Sequence, residues 1–170
     1  MLKTSQKSFT LLEVILAITV LTIATGGSFI LISQIITSSS IAQSRLTAAY
    51  LAQEGIELVK NIRDNNWLQG NDWDERLGGE TEDTYYEADS NQYNLFSCTF
   101  PCPIANLRFL KISDFYNYDF GDPTIFKRRI TISKEADKLY RFKVLVEVFW
   151  TEKGKTYPPI VAQEYLYNWK

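Results

Sequence analysis

The sequence contains no histidine. That removes the commonest general base and the commonest neutral metal ligand, and most triad and zinc-hydrolase readings go with them. Cysteine is almost absent as well: the only two, Cys98 and Cys102, stand in Cys-Thr-Phe-Pro-Cys. Two thiols without histidine do not complete a structural zinc site, which leaves a short-loop disulfide or two free thiols. An oxidising extracytoplasmic setting would favour the disulfide. Nor is there a basic excess, since 18 Lys and Arg stand against 20 Asp and Glu for a net charge of -2. Phosphate backbones select basic faces, so nucleic acid is not the expected partner. No cofactor or metal is expected, and the only acid-rich stretches, such as GNDWDERLGGE, lack the spacing of an EF-hand loop.

The most informative absence is local. Between Val14 and Ser44 there is no charged residue at all. The first eight residues, MLKTSQKS, carry two lysines and no acid, and the apolar run FTLLEVILAITVLTIATGGSFILISQII then extends from Phe9 to Ile36. As a helix this run would be about 42 Å long, more than the roughly 30 Å hydrocarbon core of a bilayer. Lys3 and Lys7 flank its front, so the positive-inside tendency leaves the N-terminus in the cytoplasm and everything beyond Ile36 outside.

Two other readings of the run are weaker. A buried helix apolar around its whole circumference needs a larger core than a chain of 170 residues offers. A conventional signal peptide cut near Ala24 to Gly27 would leave the apolar run resuming as SFILISQII, and would place Glu13 inside its hydrophobic region. An acid in a membrane segment is costly and marks a functional position by default.

The residues around that acid, Lys7-Ser8-Phe9-Thr10-Leu11-Leu12-Glu13-Val14, resemble the processing motif of type IV prepilins and type II secretion pseudopilins. The resemblance implies cleavage between Ser8 and Phe9 by a prepilin peptidase, N-methylation of Phe9, and an assembly role for Glu13. That role is to neutralise the terminal amine of a neighbouring pilin subunit in a filament, because opposite charges in a low-dielectric helix bundle stabilise each other strongly. The family strongly prefers glycine before the cut, and this chain has the small Ser8 instead. The implied partners are other pilin subunits, the peptidase and the inner membrane, and the chain is a substrate, not an enzyme. The segment Leu51 to Trp67 is also similar to stretches of prepilin-like proteins.

The implied fold is α+β. A long N-terminal helix has a membrane half and an amphipathic half, and the latter packs on a C-terminal antiparallel sheet. The expected organisation is a leader at 1–8, a membrane or filament-core helix at 9–36, an amphipathic half at 37–66 and an extracytoplasmic loop-plus-sheet domain at 67–170. Leu46, Ala49, Ala52, Ile56, Val59 and Ile62 define the helix stripe to be covered. Gln53, Glu54, Glu57, Lys60 and Arg63 define the solvated face, with Glu57 and Lys60 one turn apart. Asn65 and Asn66 predict the helix end. Gly26 and Gly27 read either as close-packing positions or as a stretch able to unwind.

Residues from Trp67 to Pro103 read as solvated loop, and Asp119, Asp122 and Pro123 as a turn. Phe126 to Ser133, Tyr140 to Trp150 and Val161 to Trp169 read as strands, with a hairpin turn at Gly154. Lys127, Arg128 and Arg129 form the only compact basic cluster, read as a charged strand edge. A filament subunit is the leading function. A membrane-tethered adhesin or DNA-capture module on the same anchor is the alternative, and a secreted enzyme behind a cleaved signal is the third.

Overall fold

The computed structural model describes residues 10–78, 83–89, 94–98, 102, 105–111, 115–134 and 140–168. One helix, α1 (Leu11–Gln69), runs for 59 residues, and eight strands follow it. The chain divides after Gln43 into two units. In the first, every residue from Thr10 to Ser39 is exposed.

The second unit is built on an antiparallel sheet. Its central strand is β5 (Asp122–Lys134), 13 residues long. One edge of β5 pairs with β6 (Arg141–Glu152) and the other with β1 (Thr84–Asp89) and β3 (Asn106–Leu110). Outside these lie β2 (Asn94–Cys98) on β1, β4 (Phe115–Asn117) on β3, and β8 (Ile160–Tyr167) on β6. A short return strand, β7 (Lys155–Thr156), closes a hairpin with the end of β6. Lys153 and Gly154 connect them with φ of 50° and 76°, the paired left-handed conformations of a tight hairpin turn.

Strand β6 is the clearest case of sequence becoming structure. Phe142, Val144, Val146, Val148 and Trp150 alternate with half-buried neighbours, and all five are buried. Tyr140, expected to begin this row, is exposed and precedes the strand, with its ring beside Tyr167 at 6.4 Å.

Against this row packs the part of α1 that lies in the second unit. Four of the six residues of the expected stripe, Ala52, Ile56, Val59 and Ile62, are buried, but Leu46 is exposed and Ala49 only half-buried. Ala48, Leu51, Gly55 and Leu58 complete the covered face. Steps of three residues lag about 60° behind the helical period each time, so a stripe read from them wanders off the buried face. The expected solvated face is corrected too. Glu54 is half-buried, and the Arg63 guanidinium stacks over Trp67 at 4.8 Å.

At Gly55 the helix approaches the sheet closely. A Cβ there would sit 2.8 Å from Val146 Cγ1 and 3.2 Å from its Cγ2. Val146 is buried and β-branched, so it has little room to turn aside. The substitution Gly55→Val is expected to cost about 1 to 3 kcal/mol by overpacking, measured as a lower denaturation midpoint of the full chain in detergent. A variant as stable as the parent would show that helix and sheet are not seated this closely.

The helix does not stop at Asn65 and Asn66 but continues to Gln69. Its end is a Schellman arrangement around Gly70 at φ 75°: Gly70 N–H donates to Trp67 O at 3.2 Å, and Asn71 N–H to Asn66 O at 2.9 Å. Asn66 is buried instead of terminal. Its Nδ2 donates to Trp73 O at 3.3 Å and Glu75 O at 2.8 Å, fastening the turn after the helix. Trp73 then stacks on Phe142 with ring centroids 4.4 Å apart.

The stretch from Trp67 to Pro103 is not all loop, for it holds β1 and β2. Asp122 and Pro123 belong to β5, while Asp119 sits in the preceding turn, its N–H donating to Asn117 Oδ1 at 3.0 Å. Trp169 lies outside the described residues.

Candidate processing and assembly site

Ser8 and Phe9 lie outside the described residues. The site begins structurally at Thr10, the residue before the helix. Glu13 N–H donates to Thr10 Oγ1 at 3.3 Å and to Thr10 O at 3.0 Å. Thr10-Leu-Leu-Glu13 therefore has the spacing of a capping box, and Glu13 is the acid of the first turn, where the helix dipole favours negative charge. The same four residues of sequence carry this local signal as well as the family resemblance. Among the described residues, Glu13 is the one charged side chain before Arg45.

The helix that follows is long and apolar enough to cross a membrane. Several of its hydroxyls bond back to the helix's own carbonyls. Thr19, Thr22, Thr25 and Ser28 donate their hydroxyls to the carbonyls of Ile15, Ile18, Leu21 and Ala24 at 2.7, 2.9, 2.8 and 2.9 Å. Hydroxyls bonded in this way add no unsatisfied polar group in lipid. Gly26 and Gly27 are helical, and added Cβ atoms would meet nothing within 4 Å.

The remaining sequence candidates lie in the second unit. Cys98 and Cys102 are joined as a disulfide with Cα atoms 5.4 Å apart. Among the described residues, no group of three acids, histidines or cysteines is placed to hold a metal ion. The basic cluster is not a charged edge: β5 is paired on both sides, and only Lys127 of the three is exposed. Arg129 points to the other face from Arg128 and binds Glu147 Oε2 through Nη2 at 2.6 Å. Arg128 is completely buried. It donates to Leu51 O at 3.2 Å, Ala88 O at 2.7 Å and Glu54 Oε2 at 3.0 Å, tying the helix to β1 across the core. Alternation with Phe126, Ile130 and Ile132 places it on the core face, but sequence reasoning missed it because a cation is ordinarily assigned to the surface.

Lys60 joins the helix to β8. Its Nζ lies 2.8 Å from Glu164 and 3.3 Å from Glu57, and the hydrogen bond to Glu164, above all, raises its pKa above the ordinary lysine value despite some desolvation.

Comparison with known families finds the prokaryotic N-terminal methylation motif over residues 3–29. No curated protein and no solved structure matches the chain. The match takes in the start of α1, where Thr10 lies before the helix and Glu13 in its first turn, and it marks precursors cut by prepilin peptidase. Proteins of this kind are structural, non-enzymatic, and assemble with other pilins. With that motif, a helix able to span a membrane and an antiparallel sheet after it, the chain is a type IV prepilin-like protein, made as a membrane-anchored precursor.

Proposed function

We propose that the chain is a minor pilin or pseudopilin, a structural subunit of a type IV pilus or type II secretion-like filament. It is cut between Ser8 and Phe9, methylated on Phe9, and joins neighbouring subunits through α1, with Glu13 set against a neighbour's terminal amine. Its division of labour is a leader at 1–8, a filament-core segment at 9–36, an amphipathic half at 37–66 and an outer domain at 67–170. The precursor sits in the inner membrane, and the mature subunit in a filament in the periplasm or at the cell surface.

The observation that carries this reading is the juxtaposition of the methylation motif with a helix exposed at every residue from Thr10 to Ser39. Apolar surface at about 25 cal/mol per Å² does not stay in water over that length. Lipid covers it in the precursor and other helices cover it in the filament. The alternative, DNA capture on the same anchor, loses its basic patch now that Arg128 is internal and Arg129 is paired.

The test is the intact mass and N-terminal sequence of the protein from its native membrane. The expected result is a chain beginning at methylated Phe9. A mature start beyond Ala24 would overturn the reading in favour of a secreted protein with an ordinary signal.

A further inference from the structure

Strand β8 has one neighbour among the described residues, β6, along eight consecutive pairs from Arg141 and Tyr167 to Val148 and Ile160. The parity of its hydrogen bonds follows from the next pair outward, in which Asn168 N–H donates to Tyr140 O at 2.7 Å. In an antiparallel ladder, bonded and non-bonded pairs alternate. Leu166, Glu164, Ala162 and Ile160 therefore bond inward to β6. Val161, Gln163, Tyr165 and Tyr167 turn their N–H and C=O groups to the open edge.

Such an edge is ordinarily blunted by lysine, proline or a bulge. β8 has none of these: its sequence is IVAQEYLY, its register is unbroken, and Pro158 and Pro159 lie before it. Its one charge, Glu164, is taken by Lys60. Beside the edge, Gln53, Ile56 and Glu57 of α1 and Ala162, Gln163 and Glu164 of β8 line an open groove of about 370 Å³. Its lining carries the Glu57 and Glu164 carboxylates, which share the single Lys60 ammonium between them, beside the apolar Ile56 and Ala162.

We propose that β8 is a strand-acceptor edge that takes an extended segment of a partner protein by β-augmentation, beyond any role of the N-terminal helix. Main-chain bonds to Val161, Gln163, Tyr165 and Tyr167 supply the affinity, and side chains alternating between two faces supply the selectivity. On the helix side, a Lys or Arg lays its methylene stem on Ile56 and Ala162 and brings its charge to Glu57. On the other face, β-branched or aromatic residues meet Val161 and Tyr165, which are exposed and half-buried.

The test uses the full chain in detergent and a fluorescent peptide of alternating valine and threonine with one central lysine. Binding is expected, and should weaken about two- to fivefold when the lysine is replaced by glutamate or when Glu57→Gln is introduced, the range of an exposed ion pair. A peptide N-methylated at alternate amides along its pairing edge should not bind, and this arm leaves the protein unaltered. Gln163→Pro should also abolish binding, because it removes an outward N–H without breaking a bond to β6. Equal binding of the N-methylated and unmodified peptides would overturn the proposal, as would no binding of any peptide. Self-association of the chain that Gln163→Pro abolishes would also overturn it, by naming a second copy as the occupant.

Discussion

Replacing Arg128 by alanine is expected to destabilise the unit Ser44–Lys170 by about 3 to 5 kcal/mol, the range for breaking a buried ion pair. A domain of ordinary size has about 5 to 15 kcal/mol in all, so this single change brings folding close to its limit. The cost has three sources. The side chain is fully buried, so its removal leaves a cavity between helix and sheet. Ala88 O loses the donor 2.7 Å away, and Leu51 O loses one at 3.2 Å. Glu54, with its side chain 29% exposed, is left partly desolvated without its cation. Arg128→Lys should recover only part of the loss, since one ammonium at the end of a flexible stem cannot reproduce a planar fork aimed at three acceptors. Unfolding of the full chain in detergent, followed by tryptophan fluorescence, measures both variants. A midpoint unchanged in Arg128→Ala would show that the guanidinium does not bind α1 and β1 together. By contrast Lys127→Ala, on the same strand with its side chain exposed, should change stability by no more than about 0.5 kcal/mol.

This contrast within three adjacent residues shows where the sequence was readable and where it was not. Periodicity identified β6 and the part of α1 between Ala48 and Asn66 because each buries one face, and a repeated burial leaves a repeated pattern. Strands β1 and β2 lie among glycine, asparagine and acidic residues, and TYYEAD and NLFSC are too short for alternation to rise above that background. Gly55 and Ala48 carry too little hydrophobicity to register, although both are buried and only a residue as small as glycine fits at 55 against Val146. Arg128 and Asn66 are the harder cases, because their burial depends on carbonyls brought from distant elements. No local pattern announces that Leu51, Glu54 and Ala88 converge on one guanidinium. The processing motif was legible for the opposite reason: its residues are contiguous, and a peptidase reads them as a linear segment.

Glu13 separates the two roles that its position permits. At the third position of a capping-box spacing, its side chain can reach back to the Thr10 backbone, and glutamine serves that role nearly as well as glutamate. As the counter-charge for a neighbouring subunit's terminal amine, it needs its negative charge, and glutamine is no better than alanine. On the assembly reading proposed above, Glu13→Gln and Glu13→Ala should both enter the membrane, since each removes a charge whose insertion is costly. Both should be cut after Ser8 and methylated on Phe9, because the leader and the cut site are unchanged. Incorporation into filaments should then fall on the order of a hundredfold in both, the consequence of leaving a terminal amine unpaired in a helix bundle. Quantifying processed subunit in sheared filaments against processed subunit in membranes gives the ratio directly. If Glu13→Gln assembles like the parent while Glu13→Ala does not, the carboxylate acts within its own helix, and the charge-pairing role is wrong. A residue that both starts its own helix and answers a neighbour's amine would couple the two events. The helix start would be held by Thr10 and Glu13 in the precursor, and the freed Phe9 amine would then give the same carboxylate a partner in the next subunit.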